Sequence, residues 1–455
     1  MSVETGTIDV PALIDRQRVG GFQVLVAALC AAVIFLDGFD AQAIGYVAPS
    51  ISKAWALKPG ALGPVFGAGL FGLMLGALVC GPLADRVGRK AVIVGCTLSF
   101  GIFSLCTATA DSLSSLLAWR FLTGLGLGGA MPNAIALTSE YSPQRSRATM
   151  IMVMFCGFSV GSALGGVLAA KLIPAFGWPA VFWVGGAVPI AVAPLLWLAL
   201  PESIRLLALK GHHDRRVATL LRRVNPALAF DDKARFTIHE AQLQGFPVAH
   251  LFRETRAPAT VLLWIMFFMN LLDIYFLANW LPTVIHNAGI SIEQAVIATT
   301  MLQVGGIIGT LTLGRIIDRF SPYHVLAVAY FFAAVFIAWL GSAGASVGLI
   351  MALVFCAGFC VVGAQIGANA LAATFYPTFI RSTGVGWALG IGRIGSIIGP
   401  VVGGILLSLR WETASIFLVG AVPALIAAVA AGGMGWAGRG LAAAQAPATT
   451  RRARG

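Results

Sequence analysis

Long, nearly uninterrupted runs of apolar residues alternate with short polar segments along the whole chain. A helix needs about 20 apolar residues to cross the hydrocarbon core of a bilayer, and twelve runs reach that length. They lie at residues 22–47, 60–83, 91–109, 115–138, 149–172, 180–200, 258–282, 293–314, 323–342, 346–372, 383–408 and 413–436. The runs are continuous and lack strict alternation, so they predict helices rather than a β-barrel. We expect an all-α polytopic membrane protein with twelve spanning helices.

Composition excludes a water-soluble fold. Of 455 residues, 58% are hydrophobic and 11% are charged, and the mean hydropathy is +0.88. A soluble domain carries about 25% charged residues. A chain with so few charges cannot cover its apolar surface in water.

Positive charges are distributed unevenly between the two predicted sides of the membrane. If both termini lie inside, the inside segments hold 24 of the 30 Lys and Arg residues, and the outer edges hold four (Lys53, Lys58, Lys171 and Arg410). This bias follows the positive-inside rule, so we expect cytoplasmic N and C termini. The net charge of +12 is then explained by topology and contact with the lipid bilayer, and it indicates no nucleic-acid partner.

One polar stretch divides the chain. Residues 202–257 hold four of the six histidines, His212, His213, His239 and His250. We interpret the stretch as a solvated linker, with a metal site or a pH switch as the alternative. The predicted domains are a cytoplasmic N-terminal segment (1–21), an N-terminal six-helix bundle (22–201), a cytoplasmic linker (202–257), a C-terminal six-helix bundle (258–437) and a disordered cytoplasmic tail (438–455).

All seven cysteines lie in or at the ends of apolar segments. We interpret them as small packing residues, with metal or redox chemistry as the alternative. We therefore expect no metal and no cofactor.

The two sides of the linker repeat each other at an offset of 233–234 residues. Gly81 and the Asp85-Arg86 pair correspond to Gly314 and the Asp318-Arg319 pair, and Gly161 corresponds to Gly395. Each half holds six runs, so both halves enter the membrane in the same direction. Parallel repeats of this kind occur in transporters, where the substrate binds near the midplane between the halves.

A loop motif carries a family resemblance. The segment GPLADRVGRK at 81–90 matches the G-x-x-x-D-R-x-G-R-[KR] loop of the major facilitator superfamily, between the second and third helices. A degraded copy, GRIIDRFS, occurs in the second half. We expect charged hydrogen bonds in this region to close a cytoplasmic gate. The alternative is that the loop charges only set topology. The candidate gate residues are Asp85, Arg86, Arg89, Glu140, Arg147, Asp318, Arg319 and Arg381.

Further segments resemble one branch of that superfamily, the aromatic acid:proton symporters. FLDGFDAQAIGYVAPSI at 35–51 is similar to the D-G-[FY]-D signature of their first helix, and WRFLTGLGLGGAMPN, FFMNLLDIYFLANWLPT and GWALGIGRIGSIIGP also resemble the branch. The resemblance implies import of benzoate-type acids, such as 4-hydroxybenzoate and protocatechuate, coupled to proton entry. It also implies a multi-pass protein of the bacterial inner membrane.

Two acidic residues lie in the middle of the first spanning run. Asp37 and Asp40 are three residues apart and therefore share a helix face. An acidic residue at the bilayer centre costs about 2.5–3.5 kcal/mol on insertion scales, so we expect a role in proton coupling. A structural pair neutralised by an arginine is the alternative. Asp273 aligns with Asp37 at offset 236 and is the third candidate.

Two arginines fall inside apolar runs, one in each half. A guanidinium in a cavity matches the geometry of a carboxylate. We expect Arg393 to bind the substrate carboxylate, and Arg120 to pair with an aspartate of the first helix or to share the substrate. Internal ion pairs are the alternative for both.

Other side chains are candidates for contact with the substrate ring. The polar candidates are Asn270, Gln303, Gln365 and Asn369, and the aromatic candidates are Phe39, Tyr275 and Trp280. Hydrogen bonds between helices are the alternative for the polar group, and packing is the alternative for the aromatic group.

Three functions remain open at this stage. The first is proton-coupled import of an aromatic carboxylate, which we expect of a monomer. The second is transport of another small organic acid, a sugar or a drug. The third is a membrane sensor or enzyme, which we disfavour because no nucleotide-binding loop, metal cluster or nucleophile elbow appears in the sequence.

Overall fold

The computed structural model describes residues 3–4, 7–210, 214–231, 234–238, 251–252, 256–317, 319–344, 346–376 and 381–445. Within these ranges the side chains of residues 3, 4, 148, 373, 381, 382 and 437–445 are not described. His212, His213, His239, His250 and Asp318 lie outside the described residues, as does the end of the predicted tail, residues 446–455.

The first half is helical apart from short strands near its N-terminus. Strands β1 (Val3–Glu4) and β2 (Thr7–Asp9) precede the short helix α1 (Val10–Arg16). Six long helices follow: α2 Gly21–Ala54, α3 Gly63–Val87, α4 Arg89–Ala108, α5 Leu113–Tyr141, α6 Gln144–Phe176 and α7 Pro179–Ala199. In lipid every backbone polar group must be satisfied within its own segment, so an apolar run folds as a helix.

The middle of the chain holds short elements, and a second set of six long helices follows it. The short elements are α8 Ile204–Leu209, α9 Asp214–Val224, β3 Ala229–Phe230 and β4 Arg235–Thr237. The long helices are α10 Ala257–Asn287, α11 Ile292–Ile317, α12 Pro322–Leu340, α13 Val347–Phe375, α14 Arg381–Ser408 and α15 Thr413–Gln445. In the part of the chain that the structure describes, twelve helices are long and apolar enough to cross a membrane, which confirms the predicted fold class.

The chain forms two compact units that do not coincide with a single cut at the linker. One unit contains Met1–Val47 and Ala68–Gln242, and the other contains Ala48–Gly67 and Leu243–Gly455. In the first unit α4 packs against α5 and α7; in the second, α11 packs on α13, α10 on α14 and α12 on α15.

Glycines let paired helices approach closely in both units. A Cβ on Gly161 of α6 would collide with the carbonyl oxygen of Phe35 in α2, and a Cβ on Gly395 of α14 would collide with that of Phe268 in α10. Small residues at helix interfaces permit this backbone contact. The two glycines are repeat partners, so the matching glycines preserve one packing geometry in both units.

The turn between α2 and α3 belongs to the second unit and rests on α14. Gly60 has a φ of +81°, which L side chains rarely adopt. A Cβ there would also collide with the Gly404 carbonyl oxygen of α14. A glycine at position 60 is therefore required both by the positive φ and by the close approach of α14.

The N-terminal segment is joined to the linker by short strands. β1 pairs in parallel with β3, and β2 pairs in parallel with β4. Ile8 and Ile14 are buried in the same apolar cluster as Val217, Leu221 and Phe236. The linker elements α9 and β4 therefore contribute to the first unit's core, because the amphipathic helix α9 buries its apolar face. Leu251, near the end of the linker, belongs instead to a core cluster of the second unit.

Candidate functional site

A buried ion pair connects α2 with α5 in the first unit. The Arg120 Nη1 lies 2.9 Å from Oδ2 of Asp40, and its Nη2 donates to the Asp40 carbonyl oxygen at 3.2 Å. The other carboxylate oxygen of Asp40 accepts a hydrogen bond from the Ser104 hydroxyl of α4 at 2.9 Å. Asp40 is 0% exposed and Arg120 is 3% exposed. Of the two roles that we considered for Arg120, the geometry favours pairing with an aspartate.

Two further candidate residues, Asp37 and Phe39, precede Asp40 on the same helix. Asp37 is buried and lies one helical turn before Asp40. A Cβ added at Gly165 of α6 or at Gly185 of α7 would lie 3.0 Å from the Phe39 ring. Packing between helices therefore accounts for the position of Phe39, and its contact with a ring substrate stays a prediction.

The second arginine that we predicted inside an apolar run is Arg393 of α14. It is partly buried, and its Nη1 donates to the Tyr275 hydroxyl of α10 at 3.2 Å. The structure therefore brings together two residues that we predicted to bind substrate. A guanidinium beside a phenol hydroxyl presents several donors to one carboxylate.

A chain of amide groups crosses from α10 to α13 in the same unit. The Asn270 amide nitrogen donates to the Gln365 side-chain oxygen at 2.6 Å, and Gln365 donates to Asn369 at 3.1 Å. Among described residues, the Asn270 side-chain oxygen has no hydrogen-bond partner, and neither has that of buried Gln303. Unsatisfied buried acceptors suit a ligand hydroxyl, since leaving them unpaired costs free energy.

Contacts with neighbouring helices explain the position of the Trp280 side chain. Its indole nitrogen donates to the Pro400 carbonyl oxygen of α14 at 2.7 Å, and its ring meets Phe66 edge-on at a centroid distance of 4.9 Å. The side chain is 2% exposed. These contacts hold α3, α10 and α14 together, and substrate contact by Trp280 stays a prediction.

A carboxyl group lies deep in the second unit. Asp273 of α10 is 0% exposed, and in the described part of the chain its carboxyl oxygens have no hydrogen-bond partner. The Tyr330 hydroxyl of α12 is also buried without such a partner there. A buried ionisable group in a membrane-spanning helix is a candidate functional site, and a role of Asp273 in proton coupling stays a prediction.

A second charge network lies at the end of the first unit that the arginine bias predicts to be cytoplasmic. The Arg89 Nη1 lies 2.7 Å from a Glu140 carboxylate oxygen, whereas its other nitrogen lies 3.9 Å from Asp85. The second Glu140 oxygen accepts a hydrogen bond from the Ser203 hydroxyl at 2.7 Å. Of the two acids near Arg89, Glu140 is the nearer partner, and the Asp85 side chain is 72% exposed.

The remaining candidate gate residues are less enclosed. Arg147 contacts Asp15 at 3.4 Å and the Ser142 carbonyl oxygen. Arg86 and Arg319 are exposed. Asp318 lies outside the described residues, as does the side chain of Arg381, which begins α14.

The Arg89–Glu140 pair predicts a difference between two single substitutions. Glu140→Gln should lower the midpoint of thermal unfolding in detergent clearly, because removing one partner of a buried pair costs about 3–5 kcal/mol. Asp85→Asn should change it little, since exposed pairs contribute about 0–1 kcal/mol. Differential scanning fluorimetry of the two purified variants measures this. Equal shifts in the two variants would contradict the assignment of Glu140 as the principal partner.

Some residues of these networks were not predicted from the sequence. Ser104 is a single hydroxyl in an apolar run, and nothing in the sequence marks it. Glu202 and Ser203 lie just after the sixth apolar run, which ends at residue 200. An acidic residue at the end of an apolar run could have identified this position as a candidate gate residue. Glu202 accepts hydrogen bonds from the Lys90 backbone at 3.2 Å and, through its own carbonyl oxygen, from the Tyr141 hydroxyl at 2.7 Å.

Comparison with known proteins places these networks in context. The family model described as Major Facilitator Superfamily matches residues 30–283 and 263–453. The chain is 42% identical over 424 residues to the 4-hydroxybenzoate transporter PcaK of Pseudomonas aeruginosa, covering 93% of this chain and 95% of that protein. It is also 42% identical over 424 residues to a gallate transporter of Pseudomonas putida, covering 93% and 94%.

Solved structures share the same fold. A bacterial homologue of the human lysosomal transporter Spinster, in an inward-facing and occupied conformation, superposes with a TM-score of 0.69 at 18% identity. The match covers 93% of this chain and 98% of that one. The likeness at this identity extends to the fold only.

Proposed function

The chain belongs to the major facilitator superfamily, and on that premise we propose that it imports aromatic carboxylates of the benzoate type together with protons. Transport occurs by alternating access, in which two six-helix halves rock around a central site. The cargo crosses the membrane without chemical conversion, so the protein acts as a secondary transporter and not as an enzyme.

One observation carries the choice of cargo. Relatives that are 42% identical over 93% of the chain are named for 4-hydroxybenzoate and for gallate. Both compounds are hydroxylated benzoates, so they share a carboxylate and a ring with polar substituents. A site for either compound needs a cation for the carboxylate, apolar surface for the ring and hydrogen-bonding groups for the hydroxyls.

The described side chains supply the cation and the hydrogen-bonding groups. Arg393 with Tyr275 offers charged and neutral donors to a carboxylate. Asn270 and Gln303 retain acceptor oxygens for hydroxyl groups. We propose that Arg393 holds the carboxylate and that Tyr275, Asn270, Gln303, Gln365 and Asn369 contact the ring and its substituents. Phe39, Trp280 and Arg120 act in this proposal by shaping and holding the surrounding helices.

Proton coupling belongs to the proposal and rests on three buried carboxyl groups, Asp37, Asp40 and Asp273. Asp40 releases Arg120 when it takes up a proton, because a neutral carboxyl no longer balances the guanidinium charge. Protonation of a buried acid therefore changes the contacts between α2 and α5. A change of contacts that depends on protonation is what links proton entry to rearrangement of the helices.

The remaining parts of the proposal concern the oligomeric state, the location, the domains and the gate. The protein is a monomer of the bacterial inner membrane with both termini in the cytoplasm. Its domains are the predicted segments 1–21, 22–201, 202–257, 258–437 and 438–455. The candidate gate comprises Asp85, Arg86, Arg89, Glu140 and Arg147 in the first half, and Asp318, Arg319 and Arg381 in the second.

Uptake by purified protein in proteoliposomes tests the function. Radiolabelled 4-hydroxybenzoate should accumulate when the outside is made acidic and should fall to equilibrium after a protonophore is added. With one proton per monoanion, a gradient of one pH unit supports about tenfold accumulation. Liposomes without protein are the control for passive entry of the protonated acid.

Two outcomes contradict different parts of the proposal. Accumulation that is unaffected by the protonophore would refute symport and leave the cargo intact. Failure to accumulate 4-hydroxybenzoate, gallate and benzoate would instead reject the cargo class, and screening of other organic acids under the same gradient would follow.

A further inference from the structure

A deep apolar groove lies on the flank of the second unit, between α11, α12 and α13. Its volume is about 620 Å³. Val328, Phe332 and Phe320 line it and are themselves 54%, 46% and 66% exposed. The groove is therefore open along the surface of these membrane-spanning helices rather than enclosed within the helix bundle.

Small residues between large ones create the recess. Ala329 of α12 and Cys360 of α13 are almost completely buried and line the groove. Phenylalanines of the same two helices, such as Phe332 and Phe359, stand beside them. A depression with phenylalanine walls offers many dispersion contacts to a flexible hydrocarbon chain.

The dimensions of the groove match one leaflet of a bilayer. Along α12 its lining extends from His324 to Phe336. Twelve residues of helix rise by about 18 Å, and half of a hydrocarbon core of about 30 Å is about 15 Å. An acyl chain that follows the groove would therefore run from the headgroup level to the bilayer midplane.

The polar end of the groove is basic. Among the described lining residues, His324 is the one that is neither apolar nor a cysteine, and it marks the end where α11 leaves the membrane and α12 enters it. Arg315 lies in the last turn of α11, where its Nη1 donates to the Leu311 carbonyl oxygen at 3.1 Å. Arg319 lies in the turn between α11 and α12, and both arginines are exposed. The segment 315–324 also contains Asp318, so its two arginines leave one net positive charge. Basic side chains above a groove between helices suit a phosphate headgroup.

From the groove's length, its apolar walls and its basic mouth, we infer that it binds one anionic phospholipid, with an acyl chain along α12 and the headgroup phosphate at Arg315 and Arg319. The cargo of the protein is an unsuitable occupant, because a hydroxylated benzoate finds no polar partner in the walls below His324. The site lies within one unit and is separate from the Arg393 region described above.

Native mass spectrometry of the purified full chain in detergent tests this inference. The probes are dioleoyl phosphatidylglycerol and dioleoyl phosphatidylcholine, which carry the same chains but differ in headgroup charge. The wild-type protein should retain phosphatidylglycerol with a preference of about fivefold, the effect that the one net positive charge of this segment has on an anionic headgroup. Glycerol 1-phosphate, which has the phosphate but no chain, should not displace the bound lipid.

Two variants separate the headgroup from the chain. Arg315→Gln with Arg319→Gln should remove the preference for phosphatidylglycerol, whereas Arg410→Gln, which removes an exposed arginine elsewhere, should preserve it. Val328→Trp should fill the groove and reduce the binding of both lipids. Val335→Trp is the matched control, because Val335 is 41% exposed on the same helix and does not line the groove.

The inference fails if the wild-type protein retains both lipids equally, if the double arginine variant keeps its preference, or if Val328→Trp retains as much lipid as Val335→Trp. Thermal unfolding in detergent, measured for each variant, ensures that the compared proteins are folded. The assay measures lipid retention and not uptake, so its result is independent of the proposed transport function.

Discussion

Replacing Arg393 with Ala should abolish gradient-driven uptake of 4-hydroxybenzoate while leaving the protein folded. The proposed carboxylate would lose its charged partner in a partly buried position. Removing one member of such a desolvated charge pair costs about 2–5 kcal/mol, and about 1.4 kcal/mol corresponds to tenfold in affinity. Binding should therefore weaken by about thirtyfold to about four-thousandfold, as measured by scintillation proximity with the labelled acid.

The conservative variants make this result specific. Arg393→Lys keeps the charge but loses the planar fork of donors, so it should bind the acid at an intermediate affinity. Tyr275→Phe removes the hydroxyl that accepts from Arg393 at 3.2 Å and should weaken binding less than Arg393→Ala. Arg410→Ala removes an exposed arginine of the same unit and should bind like the wild-type protein. Wild-type uptake by Arg393→Ala would refute the assignment.

Substitution of Asp40 by Asn should eliminate proton-driven accumulation. Asn keeps the shape of the side chain and its hydrogen bond with Ser104, but it cannot take up or release the proton. It also leaves the buried Arg120 charge unbalanced, which costs about 3–5 kcal/mol of stability. Uptake under an imposed pH gradient measures the first effect, and thermal unfolding measures the second.

A double variant distinguishes lost coupling from lost folding. Asp40→Asn combined with Arg120→Gln removes both charges and should recover much of the stability that Asp40→Asn loses, because no uncompensated charge remains. It should still fail to accumulate the acid under a pH gradient. Exchange of labelled for unlabelled acid at equal pH should continue if Asp40 serves coupling alone. Protonophore-sensitive accumulation by either variant would show that the proton is carried elsewhere.

Asp37→Asn and Asp273→Asn complete the comparison among the buried acids. Asp40 forms an ion pair with Arg120 at 2.9 Å, whereas the Asp273 carboxyl oxygens have no hydrogen-bond partner among the described residues. Substitution of Asp273 should therefore destabilise the protein less than Asp40→Asn does. Whichever substitution removes accumulation without lowering the unfolding midpoint identifies a carboxyl whose role is coupling rather than structure.

Much of the architecture follows from sequence alone. A run of about 20 apolar residues has few stable options in lipid other than a helix, so the number of helices and the six-plus-six division were predictable. The repeat at offset 234 also matched Gly161 with Gly395, and these two glycines occupy equivalent contacts in the structure. Helix formation in lipid depends on residues that are neighbours in the sequence, so it can be predicted from the sequence alone.

The sequence alone did not determine which side chains pair with each other. The sequence predicted that Arg120 would meet a helix-one aspartate or the substrate, but it could not choose between Asp37 and Asp40, which share a helix face. It gave both Asp85 and Glu140 as candidate gate acids, but it could not show that Glu140 lies nearer to Arg89. These choices depend on how three helices are rotated and shifted against one another, and distances of a few ångströms separate the alternatives.

The sequence by itself determined that this chain spans a membrane with twelve helices in two related halves, because hydrophobicity and repetition are properties of the residues in order. Only the tertiary structure decided that Asp40 holds Arg120 with help from Ser104, that Arg393 meets Tyr275, and that small residues open a groove between α11, α12 and α13. The physical reason is that these ion pairs and hydrogen bonds join residues 64, 80 and 118 positions apart, and recesses form between whole helices, through packing that no local pattern encodes.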